Sequence, residues 1–115
     1  MTLHGRQNDR TVELLLNDHL ETMLISAVRY ATGRRTYIVN TTVNYMIPKL
    51  PALSDWCLSI LSRDMYDAFA MYERTDGRIG LGDPCDAKDW TRFRKAVRSE
   101  ISSRPDFDAS RHQQL

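Results

Sequence analysis

Arginines clustered beside a glycine and a hydroxyl are the residues most able to do chemistry in this chain. Gly33, Arg34, Arg35 and Thr36 follow one another, with Arg29 and Tyr30 just before them and Tyr37 just after. Two guanidinium forks and a hydroxyl can grip a phosphate or carboxylate bidentately. If a helix starts at Thr36, its first backbone N–H groups add a positive dipole end at the same place. Tyr30 or Tyr37 could then stack on a base. Arg29, Tyr30, Arg34, Arg35, Thr36 and Tyr37 are therefore the candidate ligand-binding residues. A plainer account also fits them. Arginines after a helix C-terminus complement its negative end, and tyrosines at a helix boundary pack.

Two further clusters compete with this one. Gly77-Arg78-Ile79-Gly80-Leu81-Gly82-Asp83 is glycine-rich but lacks the Gly-Lys-Ser/Thr ending of a phosphate-binding loop and the strand that precedes a dinucleotide fingerprint. Asp76, Asp83, Asp86 and Asp89 do not have calcium-loop spacing, and turns and caps account for them. Arg92, Arg94, Lys95 and Arg98 form a basic flank beside Trp90 and Phe93, which suits nucleic acid or an acidic partner. Asp89 and Glu100 also allow the flank to be an ordinary solvated face with nearby-turn pairs.

Catalytic and metal chemistry find no foothold. His19 falls on an apolar stripe and reads as a core or interface residue, while His4 and His112 lie in terminal segments. Neither Cys57 nor Cys85 has a histidine beside it to activate a thiolate. Asp64 and Asp67 read as exposed charges on a helix. The expectation is a non-enzymatic protein with no cofactor and no metal.

The elements that must position these residues are helical. Val12, Leu15, Leu16, His19, Leu20, Met23, Leu24, Ala27, Val28 and Ala31 recur at three- and four-residue steps. That spacing makes one face of a long first helix, with Glu13, Asn17, Asp18, Glu21 and Arg29 opposite and Gly33 as the stop. Thr36 to Val43 is β-branched, yet Ile38-Val39, Thr42-Val43 and Met46-Ile47 pair one helical turn apart. Burial of that face outweighs a few tenths of a kcal/mol per residue of propensity, so the spacing predicts a second helix, ended by Pro48 and Pro51. Ser54 caps a third helix, with Asp55 in its first turn and Cys57, Leu58, Leu61, Met65, Ala68, Phe69 and Tyr72 as its apolar side. Residues 73–85 form a loop or small hairpin. Asp86 caps a fourth helix on Trp90, Phe93, Val97 and Ile101.

The fold class expected is all-α, a single domain over residues 1–115 built as a compact bundle of about four helices, with 1–8 and 104–115 as flexible tails. With 115 residues a packed core is possible, and a chain this short gains from oligomerisation. The long first helix is the expected dimerisation element. A net charge of +1 from 16 basic and 15 acidic side chains does not predict phosphate-backbone binding and rules out wholesale acidic mimicry of DNA, so a nucleic-acid or nucleotide site must come from local clustering. Two cysteines without a partner pattern, a polar start and no long apolar run suit a cytoplasmic protein that does not enter membranes.

The run Ala27-Val28-Arg29-Tyr30-Ala31-Thr32-Gly33-Arg34-Arg35-Thr36-Tyr37-Ile38-Val39, followed by a helix and a later Arg63-Asp64 pair, resembles a signature of short proteins of phages and other mobile elements. The resemblance spans about the middle third of the chain and implies a mobile-element setting in a host cytoplasm, not a mechanism. In that setting the arginine turn suggests an anti-defence protein that sequesters a phosphate-bearing signalling nucleotide. The alternatives are an inhibitor or adaptor that binds a host defence protein, and a small nucleic-acid-binding regulator that uses the last helix.

Overall fold

A computed structural model describes residues 6–33, 39–81 and 87–112, with side chains from His19 onward. Four α-helices follow in order: α1 over Arg6–Gly33, α2 over Val39–Met46, α3 over Asp55–Arg74 and α4 over Ala87–Ser102. The described residues contain no strand, so the architecture is all-α. α3 packs against both α1 and α4, and α2 sits between α1 and α4.

The apolar periodicity explains most of this packing. From α3, Cys57, Leu58, Leu61, Met65 and Ala68 are buried, and from α4, Trp90, Phe93 and Val97. Val39, Val43 and Met46 are the buried face of α2. β-Branched Thr and Val are thus held in a helix because one side of it is covered. The α-helix stops at Met46, but Pro48 and Pro51 do not end the helical path. Ile47–Ala52 continues as a 3-10 helix, packed on α4, with Leu50 buried. Pro48 sits in the first turn, where its missing N–H needs no partner, and Pro51 lies inside the 3-10 helix.

On α1 the sequence pattern and the structure differ. The buried face is Glu21, Leu24, Ile25, Val28 and Ala31. Glu21, expected on the opposite, polar face, is 2% exposed, while Met23, expected on the apolar stripe, is 65% exposed. His19 and Ala27 are exposed too. The core face is turned toward Ile25 because Glu21 has a buried polar partner in Ser54, the N-cap of α3. Its carboxylate accepts Ser54 N–H at 2.6 Å and the Ser54 hydroxyl at 2.9 Å. The same hydroxyl oxygen accepts Cys57 N–H at 3.1 Å, the capping bond expected of Ser54.

As far as Leu81 the segment after α3 is a loop, with no strand among its described residues. Asp76 and Gly77 take left-handed φ values of 54° and 83°. Gly77 N–H donates to Tyr72 C=O and Asp76 N–H to Glu73 C=O, which closes α3 with a Schellman-type cap. Gly80 then crosses α3 closely at φ 112°, where a Cβ would stand 2.5 Å from Ala68 O. This approach drops Leu81 into the core, and its carbonyl accepts the Trp90 indole N–H at 3.1 Å. The expected cap of α4, Asp86, lies outside the described residues.

Residues 104–112, expected as a loose tail, fold back on the start of α3. Asp55 is the anchor. Its carboxylate pairs with Arg104 at 2.7 Å and Arg111 at 3.3 Å and accepts Asp108 N–H at 3.0 Å. Arg104 also donates to Glu100 and to the carbonyls of Leu50 and Pro51. Trp56 N–H donates to Arg111 C=O, and the Trp56 and His112 rings stack at 4.5 Å. The segment is polar in composition, and this charge pairing, not apolar burial, holds most of it.

Candidate functional site

Three features among the described residues could meet another molecule: the C-terminal end of α1, the cleft between α1 and α2, and the outer face of α4.

At the end of α1, Arg29 projects toward α3. Its Nε donates to Asp64 Oδ2 at 2.7 Å and its Nη2 to Asp64 Oδ1 at 3.3 Å. This is the fork geometry that would grip a phosphate, engaged by the protein's own carboxylate. Asp64 raises the Arg29 pKa further, first through the hydrogen bond and then through charge. Asp64 is thus a partner of Arg29 rather than the exposed charge expected from sequence. Tyr30, another candidate, is 56% exposed. Arg34, Arg35, Thr36 and Tyr37 lie outside the described residues. A shallow depression of about 260 Å³ adjoins this end, lined by Arg29, Thr32, Gly33, Asp64, Asp67 and Met71 among others. Its two carboxylates oppose an anion.

The cleft between α1 and α2 is larger, about 380 Å³. Leu20, Met23, Leu24 and Ala27 line it from α1, at the spacing of one helical face. Thr41, Thr42, Tyr45 and Met46 line it from α2. No charged side chain is among them. Met23 and Tyr45 stand at its mouth, 65% and 55% exposed. Lys49 lies over the outer Tyr45 ring, 4.2 Å from its centroid. Sequence reasoning placed Met23 and Ala27 on the apolar stripe of the first helix. The period identifies an apolar face but not which turns of it a neighbour covers.

No protein-family model, curated protein or solved structure matches the chain.

The basic flank of α4 is divided by the fold. Trp90 and Phe93 are fully buried against each other and cannot stack on a ligand. Arg94 turns inward over the Phe69 ring, 4.7 Å from its centroid. Arg92 donates to Asp89 at 3.0 Å and to Asn44 at 2.8 Å. Asn40 also donates to Asp89, which ties α4 to α2. Lys95 and Arg98 are exposed.

Titratable chemistry is muted elsewhere. Cys57 is buried beside Glu21, and its thiol is pushed up to about 12, first by burial and then by that carboxylate. A thiol held protonated is a poor nucleophile. Asp55 is held below the usual carboxylate range by Asp108 N–H first and by Arg104 second. Among the described residues, no group of three or more His, Cys, Asp or Glu is placed to hold a metal ion. Among the same residues, no helix is long and apolar enough to cross a membrane.

Proposed function

We propose that this chain is a non-catalytic binding protein, an inhibitor or adaptor, that receives an amphipathic helix of a host protein in the cleft between α1 and α2. The observation that carries this is the cleft itself: about 380 Å³, bounded by two helices, without a charge in its lining. A groove between helices takes the apolar face of a third through anchors at helical spacing. Methionine and tyrosine at the mouth are residue types enriched at interfaces, and methionine adapts to a partner's shape. The phage-like signature that runs through Ala27 supports a host defence protein as the target.

The test is site-specific photocrosslinking from Met23 and Tyr45 in cells that contain the target, with Arg63 on the exposed side of α3 as control. The expected result is one protein adduct from both cleft positions, absent from Arg63 and absent when Ala27→Glu puts a charge in the cleft. Adducts only between copies of this chain would overturn the adaptor reading in favour of self-association through α1.

The second reading is sequestration of a phosphate-bearing signalling nucleotide. Its support is the run Gly33-Arg34-Arg35-Thr36 that follows α1 in the sequence. Isothermal titration with cyclic dinucleotides should then show binding that Arg34→Ala/Arg35→Ala abolishes. Unchanged binding in that variant would remove the residue assignment.

A further inference from the structure

The outer face of α4 carries charge of one sign only. Its exposed residues are Lys88, Thr91, Arg92, Lys95, Arg98, Ser99 and Ser102. At 100° per residue these seven occupy an arc of about 120°, and Lys88 to Arg98 spans roughly 15 Å. The two carboxylates of the helix point elsewhere. Asp89 lies toward α2, where Asn40 and Arg92 hold it. Glu100 lies toward the C-terminal segment and accepts from Arg104. The face therefore presents Lys88, Lys95 and Arg98 with three hydroxyls, no acid and no apolar side chain, while Arg92 at its α2 edge is engaged by Asp89 and Asn44, on a molecule whose net charge is only +1.

We propose that this face docks on the phosphate backbone of duplex nucleic acid, without sequence preference. Lysine, arginine, serine and threonine are the side chains that contact phosphate oxygens and fix a protein on a duplex. Base-stacking aromatics, which single-strand binders use, are absent from the face, and its own Trp90 and Phe93 are buried. It also lacks the apolar wedge that an interfacial helix needs to enter a lipid surface. A protein interface of ordinary anatomy would place an apolar centre here. This surface is separate from the α1–α2 cleft, so the inference stands independently of the adaptor reading.

Fluorescence anisotropy with a labelled 20-base-pair DNA duplex tests it, across about 50 to 200 mM salt. Three phosphate contacts, from Lys88, Lys95 and Arg98, predict a log–log salt slope of about −3. Lys88→Gln/Lys95→Gln/Arg98→Gln should bring the slope to about zero and leave the helical circular dichroism and melting temperature unchanged. Ala27→Glu should bind the duplex as the wild type does. Three results would overturn the proposal: no salt-dependent binding by the wild type, an unchanged slope in the triple variant, or tighter binding to polyglutamate than to the duplex. The last would make an acidic protein the occupant.

Discussion

Glu21 takes a carboxylate into the core with Ser54 as its hydrogen-bond partner. Removing it in Glu21→Ala strands the Ser54 N–H and hydroxyl in a buried place, which costs about 1–3 kcal/mol. Urea denaturation should show that loss. The same carboxylate is the second cause of the raised Cys57 pKa. Glu21→Gln should therefore bring the Cys57 thiol titration, followed by thiolate absorbance, to lower pH. Cys57 also makes stability pH-dependent on the alkaline side. Below pH 9, its ordinary value, the thiol is protonated in both states and the contribution is whole. As pH rises from 9 toward about 12, only the unfolded chain loses the proton. Stability then falls at up to about 1.4 kcal/mol per pH unit. Cys57→Ala should flatten that limb. Arg29–Asp64 is a different case, because the Arg29 side chain is 59% exposed. Arg29→Ala should cost under about 1 kcal/mol, so a large loss of ligand binding in that variant could not be attributed to misfolding. At this scale the sequence was misleading where partners are distant. Glu21 and Ser54 are 33 positions apart, and no local pattern marks an acid that has found a helix cap across the bundle.

Elements were more legible. Ser54 announced the start of α3, and most of the apolar positions expected on α3 and α4 are buried, with Phe69, Tyr72 and Ile101 half-buried against the core. Their period is set by the helix alone, so sequence carries it directly. The β-branched α2 was legible for the same reason, since its period outweighed its propensity. What local pattern could not show was the company each element keeps. Residues 104–112 look like a tail because their hydrogen bonds go to Asp55, about fifty positions earlier. That anchoring predicts an acid-sensitive contact. The Asp55 carboxyl is lowered from 3.8 by Asp108 N–H and then Arg104, so its contribution is present above 3.8 and is lost as pH falls through the lowered folded value. Asp55→Asn should release the segment at neutral pH. Faster amide exchange at Trp56 and Asp108, with α3 and α4 still protected, is the expected signature. The loop after α3 gives a second element-scale expectation. Gly80→Ala forces a Cβ against Ala68 O and a φ that L-residues rarely adopt. The variant should lose more than about 1 kcal/mol and loosen Leu81 and Trp90 together, read as a red shift in the Trp90 emission.

For the whole molecule, a four-helix scaffold leaves two dissimilar surfaces: an apolar cleft on the α1–α2 side and a cationic face on α4. The all-α architecture followed from composition and period. The cleft did not, because Met23 and Ala27 carry the same signal as Leu24 and Val28 until a neighbour covers one set and spares the other. The arginine turn that dominated the sequence supplies Arg29, whose fork is engaged by Asp64. A protein-binding adaptor is the account that the exposed cleft favours. The most direct test is native mass spectrometry of the protein isolated from cells that contain its target, comparing the wild type with Ala27→Glu. The account predicts a protein-sized mass on the wild type that is lost in Ala27→Glu while the chain's own fold persists. A nucleotide-sized mass in its place, or a partner retained despite the charge in the cleft, would contradict it.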